Sequence, residues 1–527
     1  MSALQAQVVV ARPVPRREAG RAASAGLTRK ASLNAAAALI VYFTQVAVSL
    51  LVSPIVVGGL GSSLFGVWQM LMRLVNYMSA ADGRPTEALR LVIAHQQGMD
   101  DVAVKRRYVG SALGVWLVSL PVLLVAGTVL VWFAPAITKV PPESNWAVRI
   151  ACAFLVVNFL LVNLAALPES VLRGTNLGYK RLGLQAGLLV GGGLLTVAAI
   201  YLGFGLVGIA GAQVVLACLT GVLFWAVVKR FVPWFGVTWP TLAEVRSFLG
   251  ISIWSFLGSL VAKIHVSSDV IVLGVLASTS SVSSYVLTGY AAEAAVPMIS
   301  LVFLAVAPGL GGLIGQRKHQ KAATVLNEML AMNWLLSTAV GTTVMLWNWS
   351  FLRLWVGQEY YAGFWPNLLI VLMMTQTIFI RTNACVIDAA LQVRQRVIVN
   401  MVAALVSIVF AVILTPPLGI VGLCIGVLGG RLIQSVSLPF LVRSCLGRPR
   451  WEGIAGVFRR MSVTAILFAG SAYFGQQVVV DHWVELLAGV AGTLGITIGV
   501  GLLVGLSRDA KSQMFKRLRW IGASGAT

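Results

Sequence analysis

The sequence predicts an all-α, polytopic membrane protein of about fourteen transmembrane helices, arranged as two six-helix lobes plus two C-terminal helices. Three observations predict it: an apolar composition, apolar runs of bilayer length, and basic residues confined to one side. Of 527 residues, 58% are apolar and 11% charged, whereas a soluble domain carries about a quarter charged residues. A spanning helix needs about 20 mainly apolar residues, because ~30 Å of hydrocarbon is crossed in 1.5 Å steps.

Apolar runs between charged or Gly/Pro-rich breaks give spans at 33–57, 65–90, 108–133, 146–168, 182–203, 207–229, 248–276, 283–313, 325–348, 363–390, 397–416, 420–443, 460–480 and 484–506. The second is interrupted by Asp82 and Arg84, and the tenth by Arg381 and Asp388. The net charge of +22 suggests nucleic acid on a soluble protein. Here its placement decides otherwise. With the N-terminus inside, 32 Lys and Arg fall in inner segments and only Lys139, Arg149 and Arg353 in outer ones. Cations accumulate on the cytoplasmic side of membrane proteins, so the charge sets topology, both ends lie inside, and no nucleic acid is expected.

Arg12, Arg16, Arg17, Arg21, Arg29 and Lys30 precede the first apolar span, with no signal-peptide core before it. An uncleaved cytoplasmic tail, 1–32, is therefore expected. In the C-terminal tail, 507–527, Met514, Phe515, Leu518 and Ile521 share one helical face amid Lys511, Lys516, Arg517 and Arg519. This suits a helix on an anionic leaflet, or a solvated basic tail. Outer loops are too short for a folded domain. The five cysteines lack metal-like spacing and read as small core residues. Neither metal nor cofactor is expected.

An internal repeat divides the chain. The stretch Tyr179-Lys180-Arg181 to Gly205-Leu206-Val207-Gly208 corresponds, about 214 residues on, to Arg394-Gln395-Arg396 to Gly419-Ile420-Val421-Gly422. The turn Gly61–Gly66 relates similarly to Ser278–Ser284. Expected units are an N-lobe at 33–230, an inter-lobe linker at 231–247, a C-lobe at 248–443, and a loop with two further spans at 444–506. Parallel repeats are a transporter device, since two lobes rocking about a central site give alternating access.

With its 6+6+2 spans, the chain resembles the multidrug, oligosaccharidyl-lipid and polysaccharide exporter (MOP) superfamily, especially its O-antigen flippase-like polysaccharide-transport branch. The resemblance rests on Leu60-Gly61-Ser62-Ser63-Leu64-Phe65-Gly66-Val67-Trp68, on Val171-Leu172-Arg173-Gly174 with Tyr179-Lys180-Arg181, on Leu354-Trp355-Val356-Gly357-Gln358-Glu359-Tyr360, and on Asp269 followed by Ser283-Ser284-Tyr285. It implies residence in a bacterial inner membrane. It also implies a polyprenyl-pyrophosphate-linked glycan as substrate, and membrane lipids and glycan polymerase or export machinery as partners. A multidrug exporter of the same superfamily is the alternative. A membrane glycosyltransferase is disfavoured, because Glu143, Glu359, Asp481 and Glu485 are scattered over short loops. No catalytic residue is expected, and no Gly-x-x-x-x-Gly-Lys-Ser/Thr loop occurs for ATP.

Ionisable side chains at mid-membrane cost at least ~2.5–3.5 kcal/mol and so face a cavity or a partner. The basic candidates for pyrophosphate or glycan binding are Arg73, Lys263, Arg381 and Arg431; Glu293 is the one acid of comparable depth. The resemblance implies that the first two helices of each lobe line a central cavity. That places Arg73, Lys263 and Glu293 on it. Arg pairs bidentately with phosphate, whereas an exporter of cations needs an acidic cavity. Competing roles are an ion pair of Arg73 or Lys263 with Glu293, and bracing of the second lobe by Arg381 and Arg431 with Asp388. For ion coupling the candidates are Glu293, Asp269 and His265; the last two are four residues apart on one helical face. Asp269 lies nearer the outer end of its span, where a solvated carboxylate is the plainer reading.

Overall fold

The structure, a computed structural model, describes residues 19–79, 85–96, 101–241, 245, 253–446, 454–475 and 477–505. These residues are helical throughout apart from short connections, with no strand among them. The helices are α1 (Ala19–Met78), α2 (Pro85–His95), α3 (Val102–Thr138), α4 (Asn145–Gly174), α5 (Tyr179–Tyr201), α6 (Gly205–Phe231), α7 (Ile253–Leu276), α8 (Thr279–Gly315), α9 (His319–Trp355), α10 (Phe364–Ala389), α11 (Val393–Cys445), α12 (Ile454–Gly475) and α13 (Trp483–Val500).

Among the described residues, nine helices are long and apolar enough to cross a membrane. Two of the nine are double-length. At 60 and 53 residues, α1 and α11 would each measure about 80–90 Å if straight, more than twice the hydrocarbon thickness. Each therefore makes two passes about a glycine with non-helical backbone, Gly61 (φ 76°) and Gly419 (φ 57°). Below, α1a and α1b denote residues 19–60 and 62–78, and α11a and α11b residues 393–418 and 420–445.

One expectation about spans is corrected. The second span ends at Met78, and α2 is a separate eleven-residue helix. Asp82 and Arg84, which interrupt the run, lie outside the described residues, and Pro85 opens the new helix where its missing N–H is harmless. The helix α2 is amphipathic: Leu89 and Ile93 are buried, while Arg90 pairs with Glu87 at 2.5 Å. The first helix begins at Ala19, inside the stretch expected as a tail. The amphipathic C-terminal segment lies outside the described residues.

In the first lobe α4 packs on α3 and α6, and α5 on α1a and α6; in the second, α10 packs on α8, α9 and α11, and α7 on α11. The last two helices, α12 and α13, lie against α9, held by Trp334 Nε1 to Thr464 Oγ1 at 2.9 Å and Trp347 Nε1 to Thr493 Oγ1 at 2.9 Å. The least hydropathic spans, α9 and α10, are also the most enclosed. Because neighbours rather than lipid surround them, they bury Asn333, Asn348, Asn367, Thr382 and Asn383; the Asn333 Nδ2 donates to Thr382 Oγ1 at 2.7 Å, and the Asn348 Nδ2 to Asn367 Oδ1 at 2.8 Å.

The lobes meet along α1, which touches both α7 and α8. At the Gly61 end the two repeat-related turns face each other. Ser63 Oγ and Thr279 Oγ1 are 3.0 Å apart, and Ser283 Oγ donates to Ser62 O at 2.5 Å. A β-carbon on Gly66 would sit 1.8 Å from the Thr279 carbonyl oxygen, so only glycine permits this approach. Within α1a, Pro54 has no N–H to offer the Leu50 carbonyl. Trp355 Nε1 supplies the missing donor from α9 at 2.6 Å.

Candidate functional site

Four-residue spacing aligns the polar side chains of the second lobe. Tyr285, Gly289, Glu293 and Pro297 form one face of α8, and Met373, Thr377 and Arg381 one face of α10, since residues one turn apart stack on a helix. With Arg73 from α1b, Asp269 from α7 and Arg431 from α11b, these faces enclose a cavity of about 200 Å³. Protein does not seal it: the Glu293 side chain is 56% exposed and that of Arg73 22%.

The cations are held differently. Arg73 Nη2 lies 4.0 Å from Glu293 Oε2, a cross-lobe pair. Arg431 Nη1 donates to Thr377 Oγ1 at 2.8 Å, and Arg381 Nη1 to Ser300 Oγ at 3.3 Å. Asp269 accepts from Tyr285 Oη at 2.9 Å and from its neighbour's backbone, Val270 N, at 2.8 Å. Formally, three guanidinium groups face two carboxylates, an excess of one positive charge. Asp269 and Arg431 also border a smaller hole of about 20 Å³ between α7 and α11, with Ser268 and Ser407.

A second hollow lies on the other side of α8. About 570 Å³ in volume, it is walled by Leu50 and Leu51 of α1a, Ala291 of α8, Trp347 and Phe351 of α9, and Leu486, Leu487 and Val490 of α13, among other apolar side chains. Ala291 faces this groove while Ala292 and Glu293 face the polar cavity. Between the two, Tyr42 Oη of α1a donates to the Ala294 carbonyl and Tyr290 Oη to Val46 O at 3.4 Å.

The structure gathers Arg73, Arg381, Arg431, Glu293 and Asp269 around one cavity. Lys263 does not line it. Its Nζ donates to Asn76 Oδ1 at 2.8 Å, in a polar seam where Asn76 Nδ2 donates to Ser267 Oγ at 3.2 Å and the Tyr77 and Ser268 hydroxyls are 2.7 Å apart. The side chain of His265 lies outside the described residues. Asp388 does not brace Arg381 or Arg431, because it holds Arg396 at 2.9 Å. Nor is Asp269 simply a solvated helix-end carboxylate, since the Tyr285 hydroxyl occupies one of its oxygens. The expected count of four midplane cations to one acid becomes three to two. Thr377 and Ser300 escaped sequence reasoning, and Tyr285 entered it only within the pattern that carries the family resemblance. The signal for two of them was their spacing from known charges, Thr377 four residues before Arg381 and Tyr285 eight before Glu293. No His/Cys/Asp/Glu group suited to a metal occurs among the described residues.

No protein-family model matches the sequence, and no curated protein matches it. Solved structures do. A lipid II flippase, MurJ, in an inward closed conformation, superposes with a TM-score of 0.67 at 12% identity, over 88% of this chain and 98% of its own. A multidrug resistance MATE family transporter of the MOP superfamily, inward-facing, gives 0.62 at 17% identity over 76% and 94%; an outward-facing structure of such a transporter gives 0.53 at 17% over 79% and 96%. At these identities the likeness is one of fold. The chain is a multi-pass membrane protein with the fold shared by these MurJ and MATE structures.

Proposed function

We propose that this chain moves a lipid-linked oligosaccharide across a bacterial inner membrane by alternating access, with both termini cytoplasmic. The reading rests on one juxtaposition: a polar cavity bearing three arginines, backed across a single turn of α8 by a wide apolar groove. A polyprenyl-pyrophosphate glycan has matching parts. The arginines meet the phosphate oxygens as charge-assisted donors, and the groove takes up part of the lipid.

At about 200 Å³, the cavity has room for a diphosphate but not for a chain of sugars. The sugars therefore enter only when the lobes part. In the positive-inside orientation the Gly61 end faces outward, and the Ser62, Ser63, Thr279 and Ser283 contacts are its outer seal. The lipid reaches the head-group cavity by parting α1a from α8 at Tyr42 and Tyr290. Glu293 and Asp269, beside the arginines, are the groups through which an ion gradient acts.

Those same two carboxylates favour a second reading, export of small organic cations. Native mass spectrometry of the purified protein separates the two. Co-purifying polyprenyl-pyrophosphate glycans support the flippase; quaternary amines or other cationic drugs as the sole ligands support the exporter.

A further inference from the structure

Three arginines share the cavity, yet they differ in what faces them. Arg73 stands 4.0 Å from a carboxylate, so part of its charge is already answered within the protein. Arg431 and Arg381 instead rest on hydroxyls, those of Thr377 and Ser300. Each hydroxyl has its own proton committed elsewhere. Thr377 Oγ1 donates to Met373 O at 2.7 Å, and Ser300 Oγ to Val296 O at 2.6 Å, both one turn back along their helices. A hydroxyl has one hydrogen and two lone pairs, so once that hydrogen is spent on the helix it can only accept. Each is thus a neutral, fixed acceptor that takes one N–H of a guanidinium without cancelling its charge.

A guanidinium has five donors in a rigid fork. Fixing one N–H orients the rest, and Arg431 keeps a buried Nε with no protein partner. Both arginines border the same 200 Å³ cavity, one from α10 and one from α11b. We propose that Thr377 and Ser300 are positioning residues that aim Arg431 and Arg381 as a two-pronged clamp for a diphosphate. Arg73, paired with Glu293 across the lobes, has a different task, linking the clamp's surroundings to lobe movement. The proposal rests on the flippase reading and specifies the chemical group that its site selects.

The test uses the purified full-length protein in lipid nanodiscs. A short prenyl pyrophosphate and the matching prenyl alcohol are titrated separately and followed by tryptophan fluorescence. Thr377→Val keeps the side-chain shape and removes the acceptor; Thr377→Ser restores it. We expect Thr377→Val to weaken pyrophosphate binding about tenfold, the usual scale for a hydrogen bond to a charged group. Alcohol binding and the unfolding temperature stay unchanged, and Thr377→Ser returns within about twofold of wild type. Ser300→Ala acts in the same direction but less, its bond being longer. Equal weakening of alcohol and pyrophosphate, or no rescue by serine, assigns Thr377 a packing role and overturns the proposal. An unchanged pyrophosphate preference in Thr377→Val overturns it while sparing the flippase reading. A wild-type protein that binds both probes alike removes both.

Discussion

Replacing Gly66 with alanine tests the closure at the Gly61 end. The new β-carbon would lie 1.8 Å from Thr279 O and 2.6 Å from its carbonyl carbon, against ordinary carbon–oxygen contacts of about 3.3 Å. Backbone blocks it, so no side-chain rotation relieves the clash, and α1b must withdraw from the start of α8 by about 1.5 Å. That movement takes the 3.0 Å Ser63–Thr279 contact and the 2.5 Å Ser283–Ser62 bond beyond hydrogen-bond reach. At about 1 kcal/mol net for each, closure loses about 2 kcal/mol, a factor of about 30 in its local opening equilibrium. Hydrogen–deuterium exchange of the 62–70 and 279–287 peptides in nanodiscs reads this directly. Exchange should quicken about 30-fold there and stay as it was in α12. Unaltered exchange in both peptides would refute the claim that these turns form a seal. Uniform acceleration throughout the chain would refute it equally, by pointing to global destabilisation.

Three further outcomes follow from named contacts. Lys263→Met should leave prenyl-pyrophosphate binding unchanged, because Lys263 serves the Asn76 seam and does not border the cavity; the same substitution should raise exchange along α1b and α7. Thr464→Val removes the acceptor for Trp334 Nε1 and the 3.0 Å partner of Thr338. It should cost about 1–2 kcal/mol, seen as a lower unfolding temperature with binding intact. Gly110→Ala sets a β-carbon 2.0 Å from Thr238 O, so the 232–241 segment should lift off α3 and become sensitive to limited proteolysis while wild type resists.

The fold was legible because lipid makes composition and span length decisive. The meeting of the Gly61–Gly66 and Ser278–Ser284 turns gives the repeat a physical role. What the sequence concealed was azimuth. Counting residues places a charge along a helix axis, but which neighbour it faces depends on how helices pack. Lys263 and Arg431 are both deep in their spans, yet one joins α1b and the other enters the cavity. Asp388 was matched with Arg381 and Arg431 because all three lie in the second lobe; its partner proved to be Arg396, eight residues ahead beyond a tight turn. The tenth span, α10, is interrupted in sequence by Arg381 and Asp388, and it and α9 have the lowest hydropathy among the described spans yet are the most enclosed. Asn333 and Asn348 donate to the neighbouring helix, at Thr382 and Asn367, while buried Thr hydroxyls donate to carbonyls one turn back on their own helix, contacts that hydropathy cannot register. Span two was overextended because the reading ran on through Asp82 and Arg84 into α2, whose Leu89 and Ile93 are apolar and buried.

The central claim is that Arg381 and Arg431 select a phosphate-bearing lipid for translocation. It is tested most directly in proteoliposomes containing a fluorescent polyprenyl-pyrophosphate glycan, with a membrane-impermeant quencher reporting its movement between leaflets. Wild-type protein should translocate it, and the Arg381→Gln, Arg431→Gln double variant, folded and inserted normally, should do so at least tenfold more slowly, by the ~1.5–3 kcal/mol scale of each charged hydrogen bond. Translocation at the wild-type rate by the double variant would contradict the account.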